Sequence, residues 1–483
     1  MNFENALLTV GQMGQADRLA IASGTPAVDL MRNAGQSVVD AMESRWSFRP
    51  TVVLCGSGNN GGDGFVIAKQ LTARGWPVRL AMEGSRDRMS PETLYHANQW
   101  TGPVEPMSSE CLEGAELVVD AVFGAGFQPG RPNPVLPLLA EIASRKLTVI
   151  AVDVPSGVVG DTGQVFTPVM AALTVTFFRK KPCHLLLPSK AHCGEVVVTD
   201  IGIPTSVFDT LQPDVFENNP SLWHSHLRQP TLGSNKYDRG HAMVYGGYPM
   251  TGAARLSAFA AARIGAGLTT VLVPEVAFPI YAASMTSIMV KPLRSRDTLR
   301  TTIQDKRITA FLIGPGAGVT ETTRRDTLLL LKAQRATVID ADAITAFQEQ
   351  PTELDQAITG PCVLTPHDGE FARVFDAAGD KLTRCRRAAK RSGAVVVLKG
   401  ADTVIACPNG RGVINNNAPP TLATAGAGDV LSGIITGLLA QGLGPFEAAC
   451  AGVWIHGEAA RLFGPGLIAE DLPGMIPCVL RSL

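Results

Sequence analysis

Two glycine-rich turns hold the residues of this chain whose types and spacing can do chemistry. The first, Gly56-Ser57-Gly58-Asn59-Asn60-Gly61-Gly62-Asp63-Gly64, lies between the β-branched run Thr51 to Cys55 and a helix-like stretch opening at Phe65. A strand that ends in such a turn and continues as a helix lets successive N–H groups converge at the helix N-terminus, which makes an anion nest. Gly56, Gly58 and Gly61 satisfy the G-x-G-x-x-G dinucleotide pattern, and Glu83 stands where a ribose-binding acid is expected. A plain dinucleotide loop has no need of Asn59, Asn60 and Asp63. Their side-chain oxygens suit a hard cation or polar chemistry at the ligand.

The second turn is Thr424-Ala425-Gly426-Ala427-Gly428-Asp429, followed by a long apolar stretch. Its N–H groups and helix dipole would hold a transferring phosphoryl group. The same dipole is expected to keep the Asp429 carboxylate ionised, able to act as base on a hydroxyl.

The elements that must position these turns read as strands alternating with helices. In the first half, strands are expected at Thr51 to Cys55, Val78 to Met82, Leu117 to Ala121, Thr148 to Val152 and Leu173 to Phe177. This rhythm predicts a doubly wound, Rossmann-like parallel sheet, in which functional residues collect at the carboxyl ends of strands. Asp120-Ala121-Val122-Phe123-Gly124-Ala125-Gly126 and Asp153-Val154-Pro155-Ser156-Gly157 stand at such ends, so three strand ends should converge on one cleft. A polar stretch containing Pro and Asn through about Pro230 places a domain boundary near residue 220, giving domains 1–219 and 220–483. The second block is again α/β: a strand at His241 to Tyr245, further strand ends at Gly314-Pro315-Gly316, Asp340-Ala341-Asp342 and Thr365-Pro366-His367, and a strand Val395 to Leu398 leading into Lys399-Gly400-Ala401-Asp402-Thr403.

Composition narrows the function classes. A length of 483 residues accommodates two to three domains, and 45% apolar residues suffice for each to bury a core. A formal net charge of −1 gives no electrostatic case for nucleic acid or an anionic membrane. No apolar run reaches the ~18 residues of a membrane span, and the start lacks a leader pattern, so a cytoplasmic protein is expected. Nine scattered cysteines without a C-x-x-C pair argue for reduced core thiols. Cys183-His184 and His192-Cys193 bring four soft ligands close in sequence, but neighbours on a strand point to opposite faces, which disfavours a shared metal.

The motifs also carry a resemblance. Gly428-Asp429 at a helix start resembles the anion hole of ribokinase-like kinases. Together with Met250-Thr251-Gly252-Ala253-Ala254, Gly314-Pro315-Gly316, Asp340-Ala341-Asp342-Ala343, Thr365-Pro366-His367-Asp368-Gly369-Glu370 and Lys399-Gly400, it is similar to the nucleotide-dependent NAD(P)HX dehydratase branch. Asn59 to Gly64, Asp120 and Asp153 to Gly157 resemble the NAD(P)HX epimerase domain. Both in this order resemble the bifunctional bacterial NAD(P)H-hydrate repair enzymes over nearly the whole chain.

That resemblance implies a chemistry. Reduced nicotinamide cofactors take up water at C6 of the dihydropyridine ring, giving R and S hydrates that no dehydrogenase can use. The first domain would interconvert the epimers, and the ribokinase-like second domain would remove water from the S form with ADP, carried with magnesium, as phosphoryl donor. By the same resemblance, Asn59, Asn60, Gly61, Gly62 and Asp63, with Gly124, Ala125, Gly126, Phe127, Gln128, Pro129 and Gly130, would cradle NADHX or NADPHX. Asn60, Asp120 and Ser156 would coordinate potassium. Asp153 would sit at the hydrated ring, and a carboxylate at a strand end in a dry cleft could titrate in the range an acid/base needs. Ala253, Gly316, His367 and Asp429 would contact the hydrate, while Lys399, Gly400, Ala401, Asp402, Thr403 and Gly428 would hold the nucleotide. Asp429 would take the C6 hydroxyl proton, phosphate would become the leaving group, and the ring nitrogen's electrons would expel it. Family members assemble as homo-oligomers.

The sequence departs from the pattern at Arg32, where Glu is usual, at Asn235 to Gly240, at Tyr248 in place of Ser, and at Pro419-Pro420. Two other readings remain open: an ordinary NAD-dependent oxidoreductase, which leaves Asp429 unexplained, and a ribokinase-type small-molecule kinase with a nucleotide-sensing N-terminal domain.

Overall fold

The computed structural model describes residues 3–130 and 134–483; Met1 and Asn2, in the segment where no leader is expected, and residues 131–133 lie outside the described residues. It divides into two compact units, 3–215 and 216–483. Among the described residues, no helix is long and apolar enough to cross a membrane.

The first unit is built on a seven-stranded sheet. Its strands are β1 (Thr51–Cys55), β2 (Val78–Met82), β3 (Glu105–Pro106), β4 (Leu117–Ala121), β5 (Thr148–Val152), β6 (Leu173–Phe177) and β7 (Glu195–Thr199). They lie in the order β3-β2-β1-β4-β5-β6-β7, every pair parallel. This is the doubly wound arrangement expected, and the five strands read from sequence have the bounds predicted. All residues of β1, β4 and β6 are buried, including Asp120 in β4 and Thr174 and Thr176 in β6, as in a parallel sheet covered on both faces. The strand order reverses between β1 and β4, and the crevice beyond the carboxyl ends at that reversal is where such sheets bind ligands.

The second unit carries a ten-stranded mixed sheet. Its strands are β8 (Val215–Glu217), β9 (His241–Tyr245), β10 (Leu268–Pro274), β11 (Met289–Leu293), β12 (Ala310–Ile313), β13 (Ala336–Ile339), β14 (Cys362–Leu364), β15 (Val395–Leu398), β16 (Val404–Ala406) and β17 (Gly412–Ile414). The order is β11-β10-β9-β12-β13-β14-β15-β16-β17-β8. Strands β11 through β15 run parallel, and β16 and β17 are added antiparallel. Here too the order reverses, between β9 and β12. The passage from one unit to the next falls within β8, at the edge of this sheet.

Small residues let the two helices behind this second reversal approach closely. A Cβ on Gly433 of the helix Ala427–Ala440 would lie 2.2 Å from the Ser257 carbonyl oxygen of the helix Thr251–Arg263. Ser257 Oγ in turn donates to the Asp429 carbonyl at 2.8 Å, tying the start of one helix to the body of the other.

Candidate active sites at two sheet reversals

In the first unit a cavity of about 680 Å³ opens at the β1/β4 reversal. Gly56 to Asn60 and Asp63 line one side of it, Val122 to Gly126 a second and Asp153 a third, so the three strand ends do converge. The turn is tight because its backbone folds on itself: a Cβ on Gly61 would lie 1.8 Å from the Gly56 carbonyl oxygen. Gly61 and Gly62 therefore shape the loop without lining the cavity. Phe127 is buried with its ring between Phe123 and Phe166, and Gln128, Pro129 and Gly130 lie beyond the lining, exposed to solvent. Glu83 lines the cavity beside Gly84.

Asp153 is held in an unusual backbone state. Its φ is +64°, and Val154 N–H reaches back to the Val152 carbonyl at 2.8 Å, closing a three-residue turn around it. Such a turn is strained for a residue with a side chain and persists only where its surroundings fix it. Those surroundings are Lys181 and His184. Lys181, wholly buried, forms an ion pair with Asp153 Oδ1, and its Nζ donates to Thr176 Oγ1 at 2.9 Å, while Thr176 Oγ1 donates to the same carboxylate at 2.8 Å. His184 Nδ1 accepts from Lys181 N at 2.9 Å, so Nε2 carries the proton and donates to the Asp153 carbonyl at 3.0 Å. Burial, with Lys181 adding to it, pushes His184 down to about 4. In the Cys183-His184-His192-Cys193 segment both His184 ring nitrogens bond within the fold, His192 Nδ1 lies 2.7 Å from the Val169 carbonyl, and both thiols are buried.

The carboxyl groups of the cavity differ in charge. Burial alone would raise Asp153, but the Lys181 ammonium outweighs it and holds the carboxyl below its ordinary value. This corrects the expectation that Asp153 titrates in the middle range; it stays ionised. Burial, reinforced by the negative charges of Asp153 and Asp17, raises Asp63 well above the carboxylate range. Asp17, which lines the cavity from the helix Val10–Ala22, is pushed up to about 6 by burial, with Asp153 adding to the rise and Lys181 opposing it. Neither Asp17 nor Lys181 was singled out from the sequence.

Beneath the cavity, Asp120 is 1% exposed. It accepts from Ser156 Oγ at 2.5 Å and Ser156 N at 2.8 Å. The Asn60 amide, turned, donates to the Val152 carbonyl and accepts from Gly124 N, each at 3.1 Å. The fully buried Asp120 carboxylate accepts hydrogen bonds but, among the described residues, has no cationic side chain beside it, and burial raises it.

In the second unit the loops after β9 and β12 press backbone on backbone. A Cβ on Gly247 would lie 1.5 Å from the Gly316 carbonyl, and one on Gly316, whose φ is +67°, would lie 2.3 Å from the Met250 carbonyl. This sets Gly316 against the segment that leads to Ala253 in the first turn of its helix. Asp429 occupies the first turn of Ala427–Ala440, behind Gly426 at φ +86°. Its carboxyl is pushed up to about 7, chiefly by burial and next by Asp340, with Lys399 opposing. The expectation that the helix dipole keeps it ionised is therefore corrected: the dipole is outweighed by burial among acids.

Lys399 is spent elsewhere. Its Nζ donates to Asp340 Oδ1 at 2.9 Å, with Glu370 Oε2 at 3.9 Å. A Cβ on Gly428 would come within 3.3 Å of that Nζ, so the lysine reaches the turn because Gly428 has no side chain. Lys399, Gly400, Ala401, Asp402 and Thr403 form the hairpin loop between antiparallel β15 and β16. Ala401 is exposed; Asp402 is buried and paired with Lys381 at 2.6 Å; Thr403 Oγ1 donates to the Gly400 carbonyl at 2.7 Å. His367 caps the helix Asp368–Val374: its Nδ1 accepts from Gly369 N at 2.9 Å and Glu370 N at 3.3 Å, while Glu370 accepts from His367 N at 2.9 Å. Nε2 stands 3.3 Å from Glu370 Oε1.

Comparison with known proteins matches residues 27–183 to the model of the YjeF-related protein N-terminus and residues 242–478 to that of NAD(P)H-hydrate dehydratase. The crystal structure of an ADP/ATP-dependent NAD(P)H-hydrate dehydratase from Bacillus subtilis with ATP and Mg2+ is 27% identical, covering 53% of this chain and 94% of its own at a TM-score of 0.47. A bifunctional NAD(P)H-hydrate repair enzyme of Coxiella burnetii is 34% identical over 95% of this chain and 96% of its own. Its counterpart from Moorella thermoacetica is 36% identical over 99% of this chain and 97% of its own. With both halves matched in order along nearly its full length, the chain belongs to the family of bifunctional NAD(P)H-hydrate repair enzymes.

Proposed function

We propose that the first unit interconverts the R and S hydrates of NADH and NADPH, and that the second converts the S hydrate to the reduced cofactor, consuming ADP and releasing AMP and phosphate. The observation that carries this reading is full-length likeness to bifunctional repair enzymes, joined to a lysine–aspartate pair at the carboxyl ends of the parallel strands in each unit. An oxidoreductase would leave the second site idle, and a simple kinase would leave the first without chemistry.

In the first unit the Gly56 to Asn60 turn and the Gly124 to Gly126 turn receive the dinucleotide, and Asp153 faces the hydrated ring. Potassium suits Asn60, Asp120 and Ser156: a buried carboxylate without a cationic neighbour, beside amide and hydroxyl oxygens, fits a weakly hydrated ion. Bound there, it would neutralise Asp120 beneath the phosphates.

In the second unit the N–H groups of Gly426 to Asp429 and the Lys399 ammonium receive the transferring phosphoryl group. A base with a pKa near 7 is well matched to removing the C6 hydroxyl proton, because it is ionised often enough yet still basic. Magnesium, arriving with the ADP phosphates, would supply charge neutralisation. Asp340 is the carboxylate that fits it: its Oδ2 is buried with no hydrogen-bond partner among the described residues. The homo-oligomeric, cytoplasmic setting implied by the resemblance goes with this reading.

The test is stoichiometric. Protein and ADP added to a hydrated NADH mixture should restore the near-ultraviolet absorbance of NADH, with one AMP per cofactor recovered. A stable phosphorylated product would favour the kinase, and recovery without nucleotide turnover would overturn the phosphorylation step.

A further inference from the structure

Epimerisation at C6 needs protons handled on both faces of the ring. The hydroxyl must leave from one face as water, and water must add to the other. One carboxylate lying on one face cannot serve both.

The helix Val10–Ala22 offers a second. Val10, Met13, Gly14, Asp17 and Ile21 all line the cavity, and this spacing is a single helical face. The helix is fixed against the elements that carry Asp153 and Lys181. Thr9 and Gln12 close a reciprocal cap at its start, Val10 N donates to Asp161 Oδ1 at 2.7 Å, and Leu8 N donates to the Lys180 carbonyl at 3.0 Å. Asp17 is thereby brought to the same cavity as the Asp153–Lys181 pair. Its carboxyl accepts no hydrogen bond among the described residues, whereas Asp153 is bound on Oδ1 by Lys181 and Thr176.

Resting on the epimerase reading above, we propose that Asp17 is a second catalytic residue of the first unit, acting on the face of the nicotinamide ring opposite Asp153. Protonated Asp17 gives its proton to the C6 hydroxyl; the C6–O bond breaks as the ring nitrogen's lone pair forms an N1=C6 iminium, and water departs. Water then adds to the other face, the iminium pair returns to nitrogen, and the Asp153 carboxylate takes the proton released. The reverse sequence serves the other epimer; between turnovers Asp153 gives its proton to solvent water and Asp17 takes one back, so no net proton, electron or co-reactant is consumed. The division of charge in the cavity supports the assignment: Asp17 retains its proton more readily than an ordinary carboxyl, while Asp153 is held ionised.

The experiment uses the full chain, without nucleotide, and separated R and S hydrates in water enriched in oxygen-18. Chromatography follows inversion, and mass spectrometry follows label at C6. The unaltered enzyme should invert both epimers with label entering; if it inverts neither, the epimerase reading itself fails. Asp17→Asn should lose inversion by about 10²-fold or more yet still exchange label, without inversion, into one epimer only. Asp153→Asn should exchange label into the other. Inversion by Asp17→Asn at the normal rate would overturn the role of Asp17 while leaving the epimerase reading intact. Loss of inversion together with label exchange in both epimers would show that Asp17 only shapes the cavity, and would also overturn it. Label exchange into the same epimer by both variants would overturn the two-face arrangement.

Discussion

Each unit pairs a lysine with an aspartate at the carboxyl ends of its parallel strands, but the lysine is spent differently. In the first, Lys181 grips Asp153 and keeps it ionised. In the second, Lys399 grips Asp340 and leaves Asp429 among acids, where its carboxyl rises to about 7. The same two residue types thus give a carboxyl held below its ordinary value in one site and one raised to about 7 in the other. What decides is which carboxylate the ammonium touches, since a contact pair in a buried site is worth far more than a neighbour further off.

The comparison breaks first at Asp429. Asp429→Asn should lower dehydration about 10²- to 10⁴-fold while epimer exchange, in the other unit, continues at its normal rate; cofactor recovery and chromatography of the two hydrates measure these separately. Undiminished dehydration would show that no base at this position is needed.

It is sharpened at Lys181. Lys181→Met removes the ammonium that opposes burial at Asp153, so the carboxyl should rise. Exchange at pH 7 should fall by about 10²-fold and partly recover at higher pH, as Asp153 ionises without its partner. The pH profile distinguishes this from a packing defect, which would lower exchange equally at every pH.

The smallest effect is on stability, and its sign follows from the raised carboxyl. A folded-state value near 7, above the ordinary 3.8, means that ionisation of Asp429 disfavours the folded state. Its stabilising contribution is full below pH 3.8 and is lost as pH rises through 7. Asp429→Asn should therefore melt higher than the parent at pH 8, by about 2–4 °C for each kcal/mol relieved, and equally at pH 3.5. A melting temperature unchanged at pH 8 would mean that Asp429 is ionised without strain.

Much of this was legible in the sequence, and the exceptions have a common cause. Strands β1, β4, β5 and β6 were plain because β-branched and apolar residues dominate each short run. The strand ends bearing Asp120, Asp153 and Asp429 were plain because glycines punctuate them. Lys181 was not, since Phe178-Arg179-Lys180-Lys181-Pro182 reads as a basic surface turn, and only the fold buries its third cation completely. Asp17 was hidden likewise, one polar residue in an amphipathic helix, its meaning set by a cavity whose other walls lie far along the chain. His367 shows the opposite limit: the Thr-Pro-His-x-Gly-Glu motif pointed to a ligand contact, and in the fold the ring caps a helix.

The latch on the helix Val10–Ala22 has a consequence for biosynthesis. Val10 and its partner Asp161 are separated by 151 residues. At translation rates of about 5–20 residues per second, that interval is roughly 8–30 s. For that time the nascent helix has no anchor for its N-terminus, and Met13, Ala16 and Ala20, buried in the finished molecule, await their cover. The wall that brings Asp17 to the cavity is thus synthesised early and docked late, so the first unit acquires a complete active site only after the chain has passed Lys181.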